Sequence, residues 1–329
     1  MKTIQFKSVL ATIAMLLAVT ALSGQKAEKE IQKDFAFNNG FLLSVDNKYG
    51  SIEVLNWDKK SVSVHIKITA KSSTQQKAEE LIEKVNIDIT EEKNAAYFDT
   101  EFDLKGLNGK SDIKIEYLVN APKELNVSLE QKYGNIYIQE LTGEADVEVK
   151  YGNLEAGTLI QAKSDGWNSI EVAYGNGSIV NAGLISAEVK YGELSIEDSK
   201  SLSIESAYSK VYLGAVKALS IESKYDKVKI DELMGEVSIE SAYTQVNLGN
   251  INADFKSIEA EMTYGNLKGS LSGNASFEIT ASTQYGEINI PAGDYKVSKD
   301  GNSRFLEGKM GSGAGKIDVS LKYGNLTLE

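Results

Sequence analysis

The sequence predicts an all-β protein. The expected form is an elongated β-solenoid of about ten coils of 17–21 residues, with an N-terminal β-rich cap containing one short helix. Three observations predict it. Tyrosines recur at Tyr133, Tyr151, Tyr174, Tyr191, Tyr208, Tyr225, Tyr243, Tyr264, Tyr285 and Tyr323, with gaps of 18, 23, 17, 17, 17, 18, 21, 21 and 38 residues. The flanking residues alternate apolar and polar with the strand period of two. Equivalent positions are nearly interchangeable, as in "EVKYGN", "EVKYGE", "IESAYS", "IESKYD", "IESAYT" and "EMTYGN". A meander would keep equivalent strands two apart. A solenoid stacks them directly at about 4.8 Å, which is what such identity rewards.

Residues 1–24 read as a secretory signal. Lys2 and Lys7 precede the apolar run Ser8 to Leu22, and the small residues Ala21, Ser23 and Gly24 follow. Fifteen residues are short for a membrane span, which needs about 20. Removing this segment takes away two lysines and no acid, so the net charge of −12 becomes −14.

Residues 25–122 differ from the repeats and read as a capping segment. "FLLSVDNKYGSIEVLNW", a divergent copy around Tyr49, and "SVSVHIKITA" alternate as strands. A helix is predicted near 74–86, with Ser73 and Gln76 as a capping box and Ala78, Leu81, Ile82 and Val85 on one face. Strand patterns resume at "VNIDIT", "AYFDTEF" and "DIKIEYLV" and stop at Pro122.

Residues 123–329 carry the repeats. Four residues before each tyrosine the position is always apolar, from Leu129 to Val319, and Gly follows Tyr in seven of ten copies. The apolar parity is even before the tyrosine and odd after it. A corner at the glycine, where positive φ costs little, would explain the flip. The 38-residue gap reads as one degenerate copy, and the chain ends inside "KYGNLTLE" as an uncapped edge.

Composition narrows the chemistry. With no cysteine, one histidine (His65) and one arginine (Arg304), a thiolate site, a His-rich metal centre and a multi-arginine clamp all lack their residues. The acidic balance argues against nucleic acid as a partner. His65 falls at the polar phase of a strand, and "EGKMGSGAGKID" lacks phosphate-loop spacing and reads as a flexible loop. No catalytic or metal-ligating set emerges.

The order of signal, "GSIEVLNWDKKSVSVHIKITAKS", short helix, "IKIEYLVNAPKELNVSLEQKYGNIYI" and recurrent "YGN" strand pairs resembles the exported bacterial family of adhesin-like β-strand-repeat proteins. That resemblance implies an exported, non-catalytic β-repeat fold and supplies no catalytic residues.

Two columns are candidate sites. Glu130, Glu148, Glu171, Glu188, Glu205, Glu222, Glu240 and Glu261 stand three residues before successive tyrosines, on the face opposite the apolar set. They form either a solvated face or a line that gathers cations, weakly bound Ca2+ foremost, or a basic partner. Lys132, Lys150, Lys190 and Lys224 share that face. The tyrosines fall by parity with the apolar residues, which predicts a buried or corner-packed ladder; a sugar-stacking row is the other reading. An adhesin-like module binding an envelope or extracellular protein or glycan, in the periplasm or at the cell surface, is the expected function. The competing class is a carbohydrate-active β-solenoid enzyme.

Overall fold

The computed structural model describes residues 25–102, 112–163 and 165–329; the signal reading of 1–24 lies outside them. The cap region contains β1 (Lys26–Ala36), β2 (Leu42–Asn56), β3 (Ser61–Lys71), α1 (Gln75–Ile82), β4 (Val85–Glu92), β5 (Ala95–Phe102) and β6 (Asp112–Ala121). The repeats begin with β7 (Asn126–Leu141), β8 (Ala145–Lys150), β9 (Asn153–Leu159), β10 (Trp167–Ala173), β11 (Asn176–Lys190), β12 (Glu193–Ala207), β13 (Lys210–Lys224) and β14 (Lys227–Ala242). They continue with β15 (Gln245–Ile251), β16 (Ser257–Thr263), β17 (Leu267–Leu271), β18 (Phe277–Gln284), β19 (Ile288–Asn289), β20 (Asp294–Asp300), β21 (Ser303–Met310), β22 (Gly315–Lys322) and β23 (Leu326–Leu328).

The helix is shorter than its sequence pattern. Its N-cap is Thr74, whose Oγ1 accepts from the Lys77 amide at 3.3 Å, so Ser73 and Gln76 form no capping box. Ala78, Leu81 and Ile82 are buried, while Val85 already opens β4.

The segments before and after each tyrosine pair in two separate rows. The row before it runs through β8, β10 and the second halves of β11 to β14, then β16, all parallel and in register. The row after it runs through β9, the first halves of β11 to β14, then β15 and β17. The residues four before the tyrosines, from Leu129 to Val319, are all buried, as are Leu154, Leu194, Val211, Val228 and Val246 from the other row. Apolar columns from the two rows therefore make one continuous core.

Spatial order departs from chain order at both ends. β2 pairs in register with β7, from Leu42↔Asn126 to Val54↔Ile138, and Tyr49 stacks on Tyr133. The divergent copy is thus a full member of the stack, and β3 to β6 are inserted between two neighbouring rungs. At the other end β22 lies between β16 and β18, and β23 between β17 and β19. The last strands of the chain are interior strands. The expected degenerate copy is instead β20 and β21, an antiparallel hairpin laid on β18. It covers the end that the sequence left bare. The glycine-rich "EGKMGSGAGKID" is not a loop throughout: residues 307–310 end β21, 315–318 open β22, and 311–314 make a tight turn, with positive φ at Gly311 and Gly313 and the Gly313 amide donating to Ser276 Oγ at 2.8 Å.

A chain stopped at Ala314 therefore loses an inner rung. Ile317, Val319, Leu321, Leu326 and Leu328 are buried, each worth about 1.5–3 kcal/mol. We expect limited proteolysis of this truncation to attack residues 277–310 while leaving 126–263 protected.

Candidate functional site

The corner is built on the tyrosine, not on the glycine. Tyr49 and all ten repeat tyrosines have φ between +53° and +62°, in the left-handed region that costs a non-glycine residue about 1–2 kcal/mol. Reversal of φ there re-aims the side chain. Parity placed the tyrosines inward; they point out and are 38–54% exposed. Of the two forms expected, buried or corner-packed, burial is ruled out and the ladder lies at the corner. What offsets the strain is the neighbouring ring. The order is Tyr49, Tyr133, Tyr151, Tyr174, Tyr191, Tyr208, Tyr225, Tyr243, Tyr264, Tyr323, Tyr285, with centroids 4.6–5.2 Å apart and planes within 10°. Such contacts contribute about 0.5–1.5 kcal/mol each beyond area burial. The amides of Tyr151, Tyr174, Tyr191, Tyr208, Tyr225, Tyr243, Tyr264 and Tyr323 also donate across the stack, as Tyr208 N does to Lys224 O at 3.0 Å. Both faces of the inner rings are occupied, so only edges and hydroxyls meet solvent. A sugar cannot stack on them.

The rest of the "YGN" motif follows from rung spacing. A Cβ on Gly192 would lie 1.9 Å from the carbonyl oxygen of Gly175, and one on Gly152 would lie 1.7 Å from that of Gly134. The glycine is there for close backbone approach. The asparagine bonds rung to rung: Asn135 Oδ1 accepts from the Asn153 amide at 2.9 Å, and Asn153 Oδ1 from the Asn176 amide at 3.1 Å.

Three rungs replace that glycine with Ser209, Asp226 and Thr244, all buried, and place Ser206, Ser223 and Ser241 two residues before the tyrosine. Ser206 Oγ donates to Asp226 Oδ2 at 2.6 Å, and Ser223 Oγ to Thr244 Oγ1 at 3.4 Å. The Ser209 amide reaches Asp226 Oδ1 at 2.6 Å. Each of these two serines bonds the corner residue one rung on. Ser241 faces the rung of Gly265, and its Oγ has no partner. A second inward network joins Asn47 Nδ2 to Gln131 Oε1 at 2.8 Å, and Thr100 Oγ1 to the Tyr117 hydroxyl at 2.9 Å. Sequence reasoning missed both networks; the signal was a polar residue recurring two before the tyrosine.

The predicted glutamates fall on one line. Glu130↔Glu148, Glu148↔Glu171, Glu171↔Glu188, Glu188↔Glu205, Glu205↔Glu222, Glu222↔Glu240 and Glu240↔Glu261 are register partners. The line is longer than the repeats suggest. Asp46 pairs with Glu130, Asp99 with Asp46, and Asp88 with Asp99, while Ser320 follows Glu261. Burial, then the nearby Glu130, raises the Asp46 carboxyl above its ordinary value.

Lysines divide the line. Lys132 pairs with Glu130, Lys190 with Glu188, and Lys150 with Glu148 at 2.5 Å and Glu171 at 3.1 Å. Hydrogen bonds to these carboxylates raise all three ammonium groups above their ordinary values. Among the described residues, Glu205, Glu222, Glu240 and Glu261 form no ion pair within 4 Å. No group of three His, Asp or Glu among the described residues is arranged to hold a metal ion. His65 sits on an exposed strand with Nε2 at 3.4 Å from Glu30, and Arg304 pairs with Glu287 at 3.1 Å. The hollow beside the row, about 630 Å³, is an open trough floored by Ser203, Ser220 and Ser238 with Trp167 at one end.

Two outcomes follow from the corner and the inner network. Tyr208→Ala should cost about 1–3 kcal/mol for two lost ring contacts, below the ~3–5 kcal/mol of a buried aromatic truncation. Tyr208→Gly loses the same contacts but relieves the left-handed strain, so its unfolding midpoint should equal or exceed that of the alanine variant. For Asp226, burial raises the carboxyl above its ordinary 3.8, against the opposing bonds from Ser206, Ser209 and Lys224. The fold then binds this proton more tightly than the unfolded chain does. Its contribution to stability is full below the ordinary value and declines as pH rises through the raised one. Asp226→Asn should remove that decline, so denaturant midpoints should favour the variant increasingly from acid to neutral pH.

The family model described as Toastrack DUF4097 matches residues 42–329. No curated protein matches the chain. Among solved structures, a "putative adhesin" from Bacteroides fragilis is 12% identical over 92% of this chain and 97% of its own, with a TM-score of 0.31. A "putative adhesin" from Parabacteroides merdae is 15% identical over 73% and 96%, with a TM-score of 0.38. A "putative lipid binding protein" from Parabacteroides distasonis is 11% identical over 91% and 96%, with a TM-score of 0.39. Among the described residues no helix is long and apolar enough to cross a membrane.

Proposed function

The chain belongs to the Toastrack DUF4097 family, and from that premise we propose that it is an exported, non-catalytic adhesin-like binding or structural module of the bacterial envelope or cell surface. Residues 1–24 act as its signal, and 25–122 as its cap apart from β2, which is itself a rung. Its rungs form one elongated β-solenoid of about ten coils, a rod roughly 50 Å long at the strand spacing. A face that repeats the same side chain every rung suits an extended partner that can engage several rungs at once.

One observation carries this reading: Glu205, Glu222, Glu240 and Glu261 occupy four successive rungs in register, exposed and without ion-pair partners among the described residues. Four carboxylates in line attract a basic extended segment of an envelope or extracellular protein, and weakly bound Ca2+ competes for the same oxygens. Retention of the mature chain on immobilised poly-lysine tests it. The parent should be retained, released as salt rises past the screening range, and released by calcium at lower ionic strength than by sodium. Replacing those four residues by Gln should weaken retention far more than replacing Glu79, Glu80, Glu92 and Glu101 in the cap, which changes net charge equally. Equal weakening would mean that only net charge matters and the row is a solvated face.

A further inference from the structure

We propose that the tyrosine row is a one-electron relay, in which an electron vacancy made on one phenol hops ring to ring along the stack. The ten contacts from Tyr49 to Tyr285 are uninterrupted, with near-parallel planes and centroids no more than 5.2 Å apart. Continuity survives even where the chain does not run in order: the strand bearing Tyr323 is tucked between those of Tyr264 and Tyr285, and the hairpin lacking a corner tyrosine is placed outside.

The fold alone asks for less than tyrosine. Asparagine or glycine takes positive φ at lower cost, and phenylalanine would stack as well, yet all eleven left-handed corners carry the phenol. Among the described residues those eleven hydroxyls bond to no protein atom, so packing does not use them. A phenol differs from a benzyl ring in being readily oxidised, and half exposure gives its proton a route to water.

The chemistry balances without a bound cofactor. A one-electron oxidant of the class of photo-excited metal polypyridyls or oxygen-centred radicals takes an electron from one tyrosine, whose phenol proton passes to water. The resulting phenoxyl radical takes an electron from the next ring. Water returns a proton to the first oxygen and accepts one from the second. The vacancy moves one rung, and no bond between heavy atoms forms or breaks.

The absence of cysteine makes the test direct. Asn302, whose carbonyl accepts from the Tyr285 amide at 2.9 Å, lies in an exposed turn, so N302C can carry a tethered photo-oxidant. Flash oxidation in dilute solution with a radical trap, followed by peptide mapping, locates the radicals. In the parent, adducts should reach Tyr133 and Tyr49. In Y191F/Y208F/Y225F, which keeps every ring and removes three phenols, adducts should persist at Tyr264, Tyr323 and Tyr285 and vanish from Tyr133 and Tyr49. Adducts confined near the tether in the parent, or undiminished at the far end in the triple variant, would overturn the proposal. A second gap, Y151F/Y174F, carries the same expectation if the first variant folds poorly.

Discussion

A bulky residue held in the left-handed region at every corner is the constraint on which the rest of this structure depends. The reversal of φ turns each tyrosine out of the core and switches the inward parity from even to odd positions. It also brings the following residue against the carbonyl of the previous rung, where in most rungs only a hydrogen fits. A single corner of this kind would be strained. A column of them is not, because the rings that the strain expels stack on one another at a distance set by the backbone ladder. The tyrosine is thus both the residue that suffers the conformation and the one that stabilises it.

Stacking of like on like is indifferent to chain order. Any strand pair with the right columns can occupy any rung, and the chain exploits this twice. β2 and β7 are neighbours although four strands and a helix intervene, and β22 and β23 return to a place inside the stack. The benefit of the second detour is at the edge. An uncovered rung would present unpaired amides and carbonyls to any passing strand. The hairpin of β20 and β21 covers one row with a charged antiparallel strand, and the other row ends on the two-residue β19 ahead of Pro291.

Much of this was legible from residues alone. The repeat, its strands, the buried columns four before each tyrosine and the alignment of Glu130 to Glu261 come from period and parity, which any parallel in-register stack must respect. Among the features that were not, three have plain causes. The direction of the tyrosine side chain depends on one dihedral that parity cannot see, and glycine was the natural suspect for a turn. The tucked C-terminus is a choice between two neighbours with identical columns, so no pattern in "KYGNLTLE" distinguishes them. The extension of the acidic row through Asp46, Asp99 and Asp88 requires knowing that β2, β5 and β4 lie side by side, which sequence distance conceals.

Two groups of rungs contrast in what lies inside and at the corner. At Tyr151 and Tyr191, where Lys150 and Lys190 stand just before the tyrosine, Val149 and Val189 lie inside and glycine makes the corner. At Tyr208, Tyr225 and Tyr243 serine lies inside, and Ser209, Asp226 or Thr244 makes the corner. Inner and outer positions face opposite ways, so direct contact cannot couple them. The corner can. With glycine, backbone meets backbone, and the inner position is filled by carbon at Val149, Val172, Val189 and Met262 or by a hydrogen-bonded polar side chain at Asn47, Gln131 and Thr283. With a side chain at the corner, a polar group is buried, and burial without a partner would be costly. The serine one rung earlier supplies that partner for Asp226 and Thr244, whereas Ser209 Oγ donates to the Val189 and Ala207 carbonyls. The polar pair is then self-sufficient across rungs. On the outer side of these rungs, Glu205, Glu222 and Glu240 form no ion pair among the described residues. Three of the four glutamates best placed to meet a charged partner thus belong to rungs with a side chain at the corner, and the fourth, Glu261, belongs to a rung with a glycine corner.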